Sequence, residues 1–353
     1  MDRFIGLDVH ASSSTFAVVG PSGKRLCSQV VETNGQALVS YLKMIPGKLQ
    51  LCLEECTQSS WLAEILEPHV ERLVVMGLGQ TPSRGSKDDR RDAFWLADRM
   101  RLNDIEAPVY KHQGAFAALR QLVKVHAQIV RDVVRVQNRI RALFRSRGMV
   151  VAGKSLYSTL HRARYIEQLP PKMVPVVEHL YAQYDALLPV KRSAEKDLLA
   201  ESHRHPISKV LETCPGLGAI RVARLVATVV SPHRFRKRQQ FWSYCGLGIV
   251  MRSSSDWVRT QDGEWVKAPI QRTRGLNRNF NRSLKHVFKG AATTVIGRAG
   301  KNDPLYQHYR DLLDGGTKPN LAKLTISRQI ASIVLSVWRS QEVYDPKKLN
   351  RKT

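Results

Sequence analysis

FIGLDVH (residues 4–10), STFAVVG (14–20) and RLCSQVV (25–31) are three short runs rich in β-forming residues. Turn-formers such as Pro21-Ser22-Gly23 separate them, and connections this short predict hairpins, so the runs read as an antiparallel meander. The hydrophobic period then changes. A helical pattern lies near 34–45, a strand at 50–55, a helix from Trp61 to about Pro68, a strand at 72–78 and a helix from Asp88 to about Leu102. A Rossmann domain would instead begin β-α-β with a glycine fingerprint, which Gly6 and Gly20 do not make.

Three antiparallel strands followed by alternating helix and strand is the order of a ribonuclease H-type α/β domain, expected over residues 1–110. Four carboxylates stand out within it. Asp8 lies in the first strand, Glu55 ends the fourth, and Asp89 and Asp92 sit three apart on one face of the last helix. In this topology the fourth strand neighbours the first, so the set suits divalent metal, and two Mg²⁺ (or Mn²⁺) ions about 4 Å apart can stabilise both oxygens of an in-line phosphoryl displacement. Each residue alone has a plainer reading. Asp8 could be a strand-end turn residue, Glu55 a solvated edge, and Asp88 or Asp89 a helix N-cap. Glu54 and Asp88 stand beside Glu55 and Asp89 as alternative ligands.

Charge divides the chain. Residues 1–110 carry 12 Lys+Arg against 14 Asp+Glu, a net of −2, whereas 111–353 carry 44 against 16, a net of +28. An excess spread over two-thirds of a chain points to a polyanionic partner, because each cation that neutralises a phosphate releases counterions. Hydrophobic content of 43% excludes a disordered chain. No apolar run is long enough to span a membrane, and five cysteines without a CxxC pair fit a reduced, cytoplasmic protein.

Beyond residue 110 the pattern is helical. From Gln113 to Arg147 apolar residues recur at Phe116, Leu119, Leu122/Val123, Ile129, Val133, Val136, Ile140 and Leu143/Phe144, with Arg131, Arg135 and Arg139 in a row on another face. A second helix is expected from about Met173 to Ser202, kinked at Pro189. The pair reads either as a coiled-coil arm touching nucleic acid or as a packed hairpin with a solvated basic face, over 111–205. The remainder, 206–353, is mainly α. Cys214-Pro215-Gly216-Leu217-Gly218 forms a tight connection between helices, as in helix-hairpin-helix modules, where the Gly216 and Gly218 amides could hold a phosphate or simply turn the chain. Arg234, Arg236, Lys237 and Arg238 precede FWSYCGL (241–247), and Arg274, Arg278 and Arg282 follow the serine cluster Ser253-Ser254-Ser255; all these cations are candidate nucleic-acid contacts.

FIGLDVH, Glu55-Cys56-Thr57, SKDDRRDAFWLA (86–97), CPGLGAIRVARLVA (214–227) and FWSYCGLGIVMRSSS (241–255), taken in this order, resemble the DEDD-type transposases of bacterial insertion sequences, the insertion sequence one hundred and ten family related to the Piv invertase. The resemblance spans essentially the whole chain. It implies a RuvC-like domain, a coiled-coil region and a C-terminal transposase domain acting together as a dimer or tetramer. It also implies recombination of target and donor DNA guided by a bridge RNA. Asp8, Glu55, Asp89 and Asp92 would be the metal tetrad. The family's nucleophilic serine, eight residues beyond Gly246, falls on Ser254, where it would form a phosphoserine link to DNA. Ser255 and Asp256 replace the glycine that often follows that serine, which leaves Ser253 and Ser255 as rivals. The polar insert 256–271, with Trp257 and Trp265, exceeds the family pattern. A RuvC-like nuclease or Holliday-junction resolvase using water, and a non-enzymatic nucleic-acid-binding protein, are the alternative readings.

Overall fold

A computed structural model describes residues 1–77, 88–105, 108–109, 116–151, 153–250, 257–268, 275–298, 300 and 302–347. Chain contacts divide it into two compact units, Met1–Ala115 and Phe116–Thr353.

The first unit is a mixed α/β sheet domain. Strands β1 (Asp2–Val9), β2 (Ser13–Val19) and β3 (Arg25–Glu32) form the expected meander, followed by α1 (Gly35–Met44), β4 (Lys48–Glu54), α2 (Ser59–Leu66), β5 (Arg72–Met76), α3 (Asp89–Leu102) and the two-residue β6 (Pro108–Val109). The six strands lie in the order β3-β2-β1-β4-β5-β6. β1, β4 and β5 run parallel, while β2, β3 and β6 are antiparallel to their neighbours. Alternation gives the inner strands two different faces. Ile5, Leu7, Phe16, Val18, Leu49, Leu51, Leu53 and Val75 bury against Leu38 and Leu42 of α1 and Leu62 and Leu66 of α2. Cys52 and Met76 point the other way, toward Leu96 and Met100 of α3.

Gly6 governs how α3 seats on that second face. A Cβ on residue 6 would lie 1.8 Å from the Ala93 carbonyl oxygen and 2.6 Å from the Ala97 amide nitrogen. The helix backbone therefore rests directly on β1, with alanines at the contact and no side chain between. Asp88 starts the helix as its N-cap, accepting a 3.0 Å bond from the Arg90 amide, and Asn103 ends it in the left-handed conformation.

The second unit is mainly helical. α4 (Ala117–Arg145), the short α5 (Ala163–Ile166) and α6 (Val174–His203) come first. α7 (Pro206–Glu212), α8 (Ala219–Val229), α9 (Arg238–Tyr244), the hairpin β7 (Trp257–Arg259) and β8 (Trp265–Lys267), α10 (Arg282–Arg298), α11 (Pro304–Asp314) and α12 (Pro319–Ser340) follow. α4 and α6 pair through Val133, Val136, Ile140 and Phe144 against Val177, Tyr181 and Tyr184, closed by Leu156, Tyr157 and Leu169 of the connecting segment. Hydrogen bonds fix this register: the Tyr181 hydroxyl donates to the Leu156 carbonyl at 2.8 Å and the Tyr157 hydroxyl to the Gln137 carbonyl at 3.2 Å. α6 runs through Pro189 without a break.

No packing break falls at residue 205. Leu119 of α4 and Leu198 of α6 belong to the same core as α7, α8, α10 and α12. The apolar stripe of α4 contains one residue that its periodicity did not mark. His126 is buried at 2% exposure, with its Nε2 3.8 Å from a Glu195 carboxylate oxygen. Burial lowers its pKa, and the nearby Arg224 charge lowers it further.

Replacing Gly6 with Ala forces a methyl into the α3 backbone and should destabilise the first unit by about 2–3 kcal/mol. Urea unfolding of the Gly6→Ala protein measures this; an unchanged midpoint would show that α3 can shift off β1 without cost.

Candidate metal and nucleic-acid site

Asp8 follows the last core residue of β1 and faces the same side of the sheet as Gly6, the side that α3 covers. α3 brings its first residue to the same place. His10, two residues beyond Asp8, completes the group: its Nε2 lies 3.4 Å from Asp8 Oδ2 and 3.2 Å from Asp89 Oδ1. The His10 backbone is pinned in the turn between β1 and β2. Its amide donates to the Ser13 carbonyl at 3.0 Å, and its carbonyl accepts from Thr33 Oγ1 at 3.0 Å, with Thr33 Oγ1 in turn 2.8 Å from Ser14 Oγ.

Asp8, His10 and Asp89 each offer one ligand atom, and these atoms all lie within 4.8 Å of one another. Two carboxylate oxygens and an imidazole nitrogen on a half-exposed rim fit a divalent ion of the Mg²⁺ or Mn²⁺ kind, the nitrogen favouring Mn²⁺. His10 was not singled out in the sequence. The available signal was its spacing: residues i and i+2 of an extended segment share a face, so Asp-x-His at a strand end offers two ligands together.

The other carboxylates are placed as follows. Asp88 is committed to capping α3, so of the adjacent pair it is Asp89 that reaches Asp8 and His10. Asp92 lies one turn along the same helix face, outside the converging group, with Arg91 Nε 3.8 Å from its carboxylate. Neither Glu54 nor Glu55 belongs to the converging group. The parallel register pairs Leu7 with Leu53, so the residue across from Asp8 is Glu54, on the α3 face with Cys52. Glu55 follows the last strand residue, its amide bonded to the Met76 carbonyl at 2.8 Å.

In the second unit, Ser254 and its rivals Ser253 and Ser255, together with Arg274, lie outside the described residues. Arg131, Arg135 and Arg139 form an exposed row on α4, with Arg135 paired to Asp132 at 2.8 Å. Gly216 and Gly218 border a cleft of about 890 Å³ that also holds Arg221 and Arg298. Arg221 spans its floor, donating to the Gly216 carbonyl at 2.7 Å and to Thr294 Oγ1 at 3.1 Å. Gly216 has φ +70°, and a Cβ there would lie 2.3 Å from the Ala291 carbonyl, so the turn is pressed onto α10.

Arg234 and Arg236 line a separate groove of about 400 Å³ with Tyr244, Asn277 and Asn279. The Arg234 guanidinium stacks 5.2 Å from the Tyr244 ring centroid. Lys237, Arg238, Arg278 and Arg282 are all exposed. The FWSYCGL segment is fastened to α12: Trp242 Nε1 donates to the Arg328 carbonyl at 3.1 Å, and Arg328 Nε donates to the Leu247 carbonyl at 2.8 Å. All five cysteines are free thiols. Among the described residues no helix is long and apolar enough to cross a membrane.

Mn²⁺ binding, followed by electron paramagnetic resonance, should weaken at least about tenfold in Asp8→Asn, a loss on the scale of removed metal-site groups. Of Glu54→Gln and Glu55→Gln, one should weaken binding on the same scale and the other leave it within about twofold, which identifies the second acidic ligand. Unchanged Mn²⁺ affinity in Asp8→Asn would overturn the site.

Comparison with known proteins agrees with both units. A DEDD-type transposase model of the IS110 group matches residues 5–147, and a model described as "Transposase IS116/IS110/IS902 family" matches residues 208–309. A 44.8 kDa protein of insertion element IS116 from Streptomyces clavuligerus is 23% identical over 345 residues, covering 82% of either chain. The transposase for insertion sequence element IS1111A of Coxiella burnetii is 24% identical over 49% of this chain and 48% of its own length. A 43.6 kDa protein of insertion element IS110 from Streptomyces coelicolor is 27% identical over 48% of this chain and 38% of its own. The chain belongs to the IS110/IS116 family of insertion-sequence transposases.

Proposed function

We propose that this transposase cuts and rejoins DNA strands through a covalent phosphoserine link, with Ser254 as nucleophile and Asp8, Asp89, Asp92 and one of Glu54 and Glu55 as its acidic metal-binding set. The observation that carries the reading is the convergence of Asp8, His10 and Asp89 at the end of β1, in a chain that is otherwise strongly basic. The strand order β3-β2-β1-β4-β5, with α3 laid across β1, supports an RNase H-like, RuvC-like domain.

A bound Mg²⁺ or Mn²⁺ would screen the charge that develops on the phosphorus oxygens. The protein's own groups do the rest. Asp8 and Asp89 would hold the ion from two different elements, so their separation is set by how α3 seats on β1. His10 would supply a third donor through its neutral imidazole. Asp92, one turn on, would bind an ion or a water of its shell. The Ser254 oxygen bonds to phosphorus as the bond to a deoxyribose oxygen breaks. The serine proton passes to a base, and the leaving oxygen takes up a proton. Attack by a second strand's hydroxyl on the phosphoserine then reverses these changes, so the bond energy is conserved across the exchange.

The exposed Arg131, Arg135 and Arg139 on α4 and the exposed Arg236, Lys237, Arg238, Arg278 and Arg282 in the last third of the chain, with half-buried Arg234, provide a backbone-tracking surface. Such a surface reads phosphates rather than bases. That suits recognition delegated to a guide RNA, the bridge RNA that the family resemblance implies, pairing with both target and donor DNA.

Ser254→Ala should abolish protein–DNA adducts that survive denaturation, lowering strand transfer by a factor of at least about 10³, while Ser253→Ala and Ser255→Ala retain them. Adducts are read by gel mobility with end-labelled DNA and Mg²⁺. Metal-dependent cleavage that persists without adducts in Ser254→Ala would instead identify a hydrolytic nuclease.

A further inference from the structure

The insert that exceeds the family pattern folds into a ribbon. β7 and β8 pair Trp257 with Lys267, Val258 with Val266 and Arg259 with Trp265. The connecting turn is closed by hydrogen bonds from the Thr260 amide to the Glu264 carbonyl at 2.8 Å and from the Gly263 amide to the Thr260 carbonyl at 3.0 Å. Gly263 takes φ +84° there, and Arg259 Nε donates to the Gly263 carbonyl at 3.1 Å.

Paired residues on a pleated ribbon share a face, and successive residues alternate. One face therefore carries Trp257, Arg259, Trp265 and Lys267 together. Val258, Val266 and Glu264 take the other. Every one of the six strand residues is exposed, Trp257 at 58% and Trp265 at 62%. The Lys267 ammonium sits 6.0 Å from the Trp257 ring centroid. An isolated two-stranded ribbon is marginal in water, and tryptophan is normally well buried, so a ribbon that displays two indoles gains little for folding.

We propose that this face is a stacking platform for unpaired bases of the DNA substrate next to the cut strand. Charge and shape choose the partner. The two indoles offer flat faces to bases, while Arg259 and Lys267 stand beside them to neutralise the phosphates between stacked nucleotides. A protein partner would have to strip water from the Arg259 and Lys267 cations within an apolar contact, which costs desolvation. The acidic Asp262 and Glu264 lie at the turn and on the opposite side, so phosphates approach by the tryptophan face only.

Position along the chain selects DNA, and this step rests on the reading of Ser254 as nucleophile. Trp257 follows Ser254 by three residues, so their Cα atoms can lie no more than about 11 Å apart. That is roughly three stacked base steps. Strand exchange must unpair nucleotides at that distance from the break, and a sequence-tolerant aromatic platform would hold them until they pair with the new strand.

The test uses the full-length protein in EDTA, with fluorescence anisotropy of a short labelled single strand of DNA, the same sequence as duplex, and the same sequence as RNA. Trp257→Ala/Trp265→Ala should weaken single-stranded DNA binding by about tenfold or more, with duplex affinity within about twofold and Trp257→Phe/Trp265→Phe near wild type. Circular dichroism and melting confirm that the variants fold.

The proposal is overturned if the double alanine variant binds single-stranded DNA like wild type, or if only RNA binding falls. It is also overturned if sedimentation shows that the substitutions change the number of associated copies with DNA affinity intact. Adduct formation, assayed separately with Mg²⁺, keeps the two readings apart. Adducts lost in Ser254→Ala with unaltered single-strand binding in the tryptophan variant sink the platform alone; the converse sinks the nucleophile alone.

Discussion

The backbone of α3 touches the backbone of β1 at Gly6, closer than any side chain would allow. Asp8 and His10 extend from the strand two and four residues beyond that contact, and Asp89 begins the helix that makes it. The distance between the carboxylates is therefore a property of one strand–helix seat. Ala93 and Ala97 keep the seat close, while Leu96 and Met100 anchor it sideways against Cys52 and Met76. A site built on a strand end and a helix start gains rigidity from both elements, whereas the same residues on two loops would need ordering at each encounter with metal.

The second unit uses close approach for a different end. Gly216 lets the α7–α8 turn press against Ala291 of α10, and Arg221 locks the turn from inside by holding the Gly216 carbonyl and Thr294. α4 and α6 root in this same core through Leu119 and Leu198 and continue outward on their own core of Tyr157, Tyr181 and Tyr184. The exposed arginines of α4 are thus carried on a braced helical pair, and their charge is held at a defined spacing without being buried.

Much of the first unit was legible because its strands alternate and are cut by clear turn-formers. The limits of β1, β2 and β3 fall within two residues of FIGLDVH, STFAVVG and RLCSQVV. β6 escaped notice because two residues carry no period at all. The second acidic position stayed divided between two neighbours for a different reason. Adjacent Glu54 and Glu55 have the same local chemistry, and only the pairing of Leu7 with Leu53 places one of them beside Asp8. His10 was missed because a lone histidine after an aspartate has no distinctive pattern until the helix start arrives opposite it. His126 was hidden similarly: an ionisable residue in an apolar stripe looks like a gap, yet neighbouring helices bury it.

The central claim is that Asp8, His10 and Asp89 form a divalent-metal centre. Anomalous diffraction from crystals of this protein grown with Mn²⁺ tests it most directly. The account predicts a manganese peak within about 2.3 Å of a carboxylate oxygen of Asp8 and of Asp89, with His10 Nε2 turned to it. Manganese bound elsewhere, with the Asp8–His10–Asp89 contacts undisturbed, would contradict it.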